Sequence, residues 1–263
     1  DPELAAMCAI SGAVQGCTNT AGAGRAGAVK TEGQLKALDV DKLKQLKTTA
    51  ALFPDTLVES ELGEVPEGWS VKSLDEIAYY QNGLALQKFR PENENDFLPV
   101  LKISQLKKGF ADGEEKASLN IKPECIVDNG DMVFSWSGSL IVDVWCGGRV
   151  ALNQHLFKVT SDNYPKWFYY YWTKFHLEVF QQIAADKAVT MGHIKREHLS
   201  QAKCLVPSGD LDDINMLNDL LEKQVEQRIE NFTLKKIRDS LLPKLLSGEL
   251  LTNSNQTELK EAI

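Results

Sequence analysis

The sequence has no run of about 18 consecutive apolar residues, so it predicts no membrane-spanning helix. It has no CxxC pair either. Its five cysteines, Cys8, Cys17, Cys125, Cys146 and Cys204, are odd in number and lie far apart. That pattern excludes the usual zinc-ligand spacings and points to a reducing cytoplasm rather than a disulfide scaffold. Surplus basic charge is also missing: 29 Lys and Arg stand against 37 Asp and Glu, a net charge of −8. This excludes a generic nucleic-acid coat, because nonspecific phosphate binding runs on excess cations. It leaves open a site at which positive charge is locally segregated. The first residues, "DPELAAMCAISGAV", have neither an initiating Met nor the basic stretch of a signal peptide. They read as a trimmed or engineered start rather than an export signal.

Catalytic signatures are absent as well. There is no serine nucleophile elbow, no phosphate loop, and no Asn/Asp-Pro-Pro-aromatic run of the kind amino-methyltransferases use. "GAGRAG", Gly22 to Gly27, spells G-x-G-x-x-G, but the loop-like "GCTNTA" precedes it where a dinucleotide site needs a strand. Pro54-Asp55 and Glu114-x-Lys116 could be forced into a nuclease pattern, yet about sixty residues separate them. No enzyme activity, cofactor or metal is expected.

What is present is a division into segments. Residues 1–33 are rich in Ala, Gly and Thr and bury little. Residues 34–63 form a lead-in. Within it, Leu35, Leu38, Leu43, Leu46 and Ala50 predict a short amphipathic helix ending before Pro54. Residues 64–209 read as a mixed α/β unit, which makes the chain α+β. "FLPVLKISQLKKG" and "GDMVFSWSGSL" alternate as strands do, "GGRVALNQHLFKV" reads as one further strand, and "AKCLVP" as a short one closed by Pro207. "PKWFYYYWTKFHLEVFQQIAAD" predicts one buried helix with Pro165 in its first turn. Residues 210–250 predict a long helix. Ile214, Leu217, Leu221, Val225, Ile229 and Phe232 recur every three or four positions, and the seam resumes in a displaced register through Ile237 and Leu241. Such a stripe on a rod of roughly 48 Å calls for a partner helix, in the manner of a coiled coil. Pro243 should kink or end it, with Gly248 as a stop. Residues 251–263 are a polar tail.

"TMGHIKREHL", Thr190 to Leu199, concentrates two histidines and two cations. His193 and His198 are five apart, about 140° on a helix, so they do not converge on one metal. From Pro165 to Lys203 six Lys/Arg face three Asp/Glu, a local excess of +3. Lys195 and Arg196 suit phosphates, Arg also suits a guanine edge, and Thr190 and His193 are short polar groups. Gly192 would permit close backbone approach. "LKISQLKKG" adds Lys102, Ser104, Gln105, Lys107 and Lys108, while "SWSGSL" and "NQHL" add hydroxyls and amides. The plainer reading of such residues is a solvated face. Trp69, Trp167, Tyr170 and Trp172 fit a core better than a stacking platform.

The order of these motifs resembles the specificity subunit of type I restriction–modification systems. "LFPDTLVESELGEVPEGW" (52–69) is similar to that family's lead-in to a target recognition domain. "GDMVFSWSGSL", "ALNQHLFKV", "TMGHIKREHL" and "LVP" resemble landmarks within the domain, and "SLLPKLLSGEL" the end of its helical spacer. The resemblance implies a non-catalytic subunit that binds double-stranded DNA. In the family, two recognition domains joined by antiparallel helices each read half of an interrupted site, holding methyltransferase subunits and ATP-using restriction subunits. One such domain and one long helix here imply a half subunit that pairs with a second copy. The implied DNA-contact residues are Lys102, Ser104, Gln105, Lys107, Ser135, Ser137, Gln154, His155, Thr190, His193, Lys195 and Arg196. Among these, Lys102 and Lys195 would anchor phosphates, and Gln105, Gln154 and Arg196 would read bases. A headed stem with no DNA role is the alternative.

Overall fold

The computed structural model describes residues 39–41, 44, 56–186, 192–209, 211 and 215–249. Thr190, Ile214, the segments 1–33 and 251–263, and most of the lead-in helix lie outside them. A hairpin of β1 (Leu57–Ser60) and β2 (Gly63–Pro66) comes first, followed by β3 (Ser70–Ser73), the single turn α1 (Leu74–Ile77) and β4 (Tyr79–Asn82). Next come β5 (Leu98–Leu101), α2 (Ile103–Lys108) and the short strands β6 (Lys116–Ala117) and β7 (Ile126–Val127). Then follow β8 (Met132–Ser135), β9 (Val142–Val144), β10 (Val150–Leu152) and β11 (Leu156–Thr160). Helices α3 (Lys166–Phe175), α4 (Leu177–Asp186) and α5 (Arg196–Gln201) precede β12 (Lys203–Val206) and the long α6 (Asn215–Leu246).

Two four-stranded sheets carry the fold. One is antiparallel, in the order β4-β11-β8-β9; the other runs β6-β5-β10-β7 and contains the parallel pair β5–β10. In the first sheet Phe157 faces Phe134, and Val159 faces both Met132 and Tyr80, so all five share one side. The helices cover that side, and Phe180 of α4 stacks on Phe134 at 5.9 Å. Val133 and Leu156, on the opposite side, pack with Leu101, Leu152 and Trp145 of the second sheet's layer. The sheet is buried on both faces, so all four residues of β8 are buried rather than alternate ones as the sequence pattern suggests.

Three predicted elements change. The predicted strand over residues 97–109 is β5 alone. At Lys102 the chain turns into α2, which Gly109 closes at φ 77°. Ser, Gln, Leu and Lys hold no strand by themselves, and Ile103 with buried Leu106 is an i, i+3 helical pair. "GGRVALNQHLFKV" is two strands in different sheets, β10 and β11, and Asn153–His155 is the step between them. The buried helix breaks at His176 into α3 and α4, with Pro165 at the N-cap rather than inside the first turn.

That break has a chemical consequence. His176 is half-buried, its Nε2 lies 2.9 Å from the Lys203 carbonyl oxygen, and burial lowers its pKa below the usual 6.5. The unfolded chain therefore binds a proton that the folded one resists. This contribution to stability is present above about pH 6.5 and is lost as pH falls through 6.5 towards the folded value. The urea midpoint is expected to drop between about pH 7.5 and 5.5, and His176→Gln to remove part of that drop. An equal drop in both proteins would acquit His176.

The long helix does not wait for a partner along its first half. Leu221 and Val225 are buried in the main core, with Leu217 and Ile229 packed against it. Lys166 bonds Glu222 at 2.9 Å, and Arg228 forks onto Asp143 at 2.8 and 2.7 Å. Phe232 meets Phe110 at 6.3 Å between ring centroids. Beyond it, Leu234, Ile237, Leu241 and Leu245 are exposed. At 100° per residue the two stripes are centred roughly 180° apart, so the second faces away from the head. Pro243 does not end the helix, which runs to Leu246. So near the C-terminus a proline forfeits one hydrogen bond in the closing turns, and its carbonyl still accepts Ser247 N–H at 2.9 Å. Gly248, at φ 74°, is the stop. Among the described residues no helix is long and apolar enough to cross a membrane.

Candidate nucleic-acid interface

Ser135 ends β8 fully buried. Its hydroxyl donates to the Ser139 carbonyl at 2.6 Å and accepts from Ile141 N–H at 2.8 Å. It is a clasp for the loop 136–139 and offers no free hydroxyl to a base, contrary to the expectation for this residue. At the head of that loop Trp136 is the hub. Its indole N–H donates to the Gln154 carbonyl at 3.2 Å, and its backbone carbonyl accepts Ile194 N–H at 2.9 Å. Its ring lies 5.8 Å from His155, 6.0 Å from Phe157 and 6.3 Å from His193. Next to it, Ser137 pairs with the backbone of His193, and its hydroxyl meets His155 Nδ1 at 2.9 Å.

Three segments thus converge: 136–139, 153–155 and 192–195. The second is shaped by buried Asn153, whose Oδ1 accepts His155 N–H at 3.2 Å and turns the chain so that Gln154 and His155 are partly exposed. The third is pressed onto α4. A Cβ on Gly192 would stand 2.2 Å from the Ala184 carbonyl oxygen, so only glycine fits. The close approach expected at Gly192 is to the protein's own helix. Its carbonyl accepts Gly138 N–H at 2.8 Å, which joins the third segment to the first.

The two histidines of "TMGHIKREHL" part company here. His193 is exposed beside Trp136, before α5 begins. His198 is buried inside α5, where its Nδ1 accepts Lys195 N–H at 3.0 Å and caps the helix. Lys195 is exposed, with Glu197 3.3 Å away, a pairing too wet to hold the ammonium fast. Arg196 is more committed than expected. Its Nη2 donates to the Tyr80 carbonyl at 2.9 Å and its guanidinium lies 5.4 Å from the Phe157 ring centre, so it ties α5 to the sheet.

Helix α2 divides its residues. Lys107 Nζ reaches Ser139 Oγ at 2.8 Å and so joins the cluster. Lys102, Ser104 and Gln105 do not. Lys102 is ion-paired with Glu115, Ser104 donates to Gln105 Oε1 at 2.7 Å, and Gln105 donates to Asp112 at 3.2 Å. The Gln105 hydrogen bond is the main reason that the Asp112 carboxyl titrates below its usual value. The loop 112–115 therefore neutralises that part of the helix. Among the described residues no group of three or more His, Cys, Asp or Glu side chains could hold a metal. Sequence reasoning took in Ser139 and Asn153 only as hydroxyls and amides of "SWSGSL" and "NQHL", and gave Trp136 no role. The available signal was a tryptophan set among Ser and Gly where a strand ends.

A family model described as the type I restriction modification DNA specificity domain matches residues 66–231, well over half of the chain, and takes in all three segments. The chain belongs to that family. As a member, it is 26% identical over 199 residues to the type I restriction enzyme MjaIX specificity subunit of Methanocaldococcus jannaschii, covering 71% of this chain and 45% of the relative. The HindI specificity subunit of Haemophilus influenzae matches at 25% over 270 residues, with 94% and 54% covered. The EcoBI specificity subunit of Escherichia coli matches at 24% over 200 residues, with 71% and 40% covered. This family member thus spans about half the length of the curated relatives it matches. A solved type I specificity subunit from M. genitalium is similar at 17% identity and TM-score 0.44, over 68% of this chain and 46% of that one.

Proposed function

We propose that the chain is a DNA-reading subunit of a type I restriction–modification complex. It does no chemistry itself and recognises one half of an interrupted duplex site. The convergence of three polar segments on Trp136, inside the region matched to the DNA specificity domain, carries the reading. Gln154, His155 and His193 are the base readers, Lys195 and Lys107 bind phosphates, and Arg196 is a strut. The distal stripe of α6 pairs with a second copy, so that two heads read a symmetric interrupted site. The pair then positions methyltransferase and restriction subunits in the cytoplasm. The exposed leucines of α6 also suit the rival reading, a stem that binds proteins and no DNA.

Selection from a pool of random duplexes, followed by binding measured at several salt concentrations, separates the two. The chain is expected to enrich one sequence and to bind it with a negative salt slope. Lys195→Ala should weaken all duplexes alike and reduce the slope by about 1. His193→Ala should cost ~1–3 kcal/mol on the selected sequence alone. Binding without any sequence preference would sink the reading, and absence of binding would favour the stem.

A further inference from the structure

Apart from the Trp136 cluster, the described residues enclose a cleft of about 690 Å³ between the end of α2 and the middle of α6. Phe110 and Phe232 form its apolar part, and the Lys236 ammonium stands 4.4 Å above the Phe232 ring. Its rim carries Lys107, Lys108, Arg228, Lys235 and Lys236 against Asp143 and Asp239. Both carboxylates are already occupied. Asp143 takes both arms of Arg228, and Asp239 accepts from Arg238 at 2.6 Å. Asp112 answers Lys108 at 3.3 Å. That leaves Lys107, Lys235 and Lys236 with no carboxylate partner among the described residues. Three uncompensated ammonium groups around one concavity, in a chain of net charge −8, make a local positive field that attracts anions. The two rings keep water from one side of it and so strengthen it.

The cleft adjoins the reader surface. Lys107 belongs to both, since it bonds Ser139, two residues from Ser137. We propose that the cleft seats the DNA backbone. In this arrangement Lys107, Lys235 and Lys236 bind phosphates of the strand as it leaves the reading loops and passes onto the long helix. The inference rests on the DNA-reading function above. It adds a sequence-independent grip located on α6 rather than in the recognition loops. Phosphate contacts of this kind fix register and orientation, while the loops supply discrimination.

The test uses the full chain, the selected duplex and a random duplex of about 30 base pairs. Lys235→Ala/Lys236→Ala is expected to weaken both duplexes by the same factor, roughly tenfold or more at 0.1 M salt, and to lower the log–log salt slope by about 1.8. Both lysines are exposed, so melting should be unchanged. Lys223→Ala/Lys244→Ala removes the same charge elsewhere on α6 and should stay within about twofold. Three results would overturn the proposal: unchanged binding by the first pair, equal losses from both pairs, or a loss confined to the selected sequence. If the parent chain binds no duplex at all, the DNA-reading function falls and the cleft with it.

Discussion

Leu221→Ala is expected to lower the unfolding free energy by about 2–5 kcal/mol, whereas Leu241→Ala, on the same helix, shifts it by under about 0.5 kcal/mol. Leu221 is 1% exposed and sits among the core side chains beneath α3 and α6. Its truncation leaves a cavity that a rod pinned by Arg228–Asp143 and Lys166–Glu222 cannot close by sliding. Leu241 is 41% exposed and belongs to none of the core clusters of the described residues. Its loss is invisible to a monomer. Urea unfolding at a protein concentration low enough to keep the chain monomeric measures both. Ile237→Glu/Leu241→Glu, followed by sedimentation at high concentration, should abolish the proposed self-association and leave the monomer's urea midpoint alone. Equal destabilisation by Leu221→Ala and Leu241→Ala would show that the stripes are not divided between head and partner.

Gly192→Ala is expected to abolish duplex binding, by about a hundredfold or more, for roughly 1–3 kcal/mol of stability. The added methyl would overlap the Ala184 carbonyl oxygen and carbon, at 2.2 and 2.7 Å, and both are backbone atoms that cannot rotate aside. Segment 192–195 must then lift from α4. It carries His193 and Lys195, and its lifting breaks the Gly138–Gly192 and Ile194–Trp136 hydrogen bonds that hold Trp136 in place. Displacing His193 and Lys195, the proposed base reader and phosphate anchor, at the same time accounts for the factor. Titration with the selected duplex, with circular dichroism to verify folding, decides it. Full affinity in a folded Gly192→Ala protein would mean that the third segment plays no part in binding.

Much of this was legible where the local pattern and the tertiary structure agree. β12 before Pro207, the stop at Gly248 and the reach of α6 all follow from residue type and period. The failures share a cause. β10 and β11 look like one strand because apolar residues flank Asn153–His155 on both sides, and only the existence of two sheets separates them. The stripe on α6 looks like half of a coiled coil because periodicity reports that a face is covered, not by what. Here the head covers it as far as Phe232. In the candidate site, side-chain chemistry pointed to Gln154, His155, His193 and Lys195, and all four lie partly or fully exposed on the converging segments. Partnership was invisible: nothing local says that Arg196 is spent on the Tyr80 carbonyl, or Lys102 on Glu115. Trp136 shows no role in the sequence until the segments it joins are brought together.

The pairing of β3 with β12 bears on how the chain is made. Ser70 finds its partner in Val206, and Leu74 N–H bonds the Ala202 carbonyl, so strands about 130 residues apart lie side by side. On a ribosome that adds ~5–20 residues per second, β3 waits roughly seven to thirty seconds for that partner. Sheet β4-β11-β8-β9 can assemble meanwhile, but its helical cover stays incomplete until α6 follows. The nascent head therefore passes through an interval with an apolar sheet face bared. Closure of the β3–β12 ribbon and docking of Leu221 end it nearly together. Messages cut short before the codon for Leu221 are accordingly expected to yield chaperone-bound or degraded product rather than a smaller folded head.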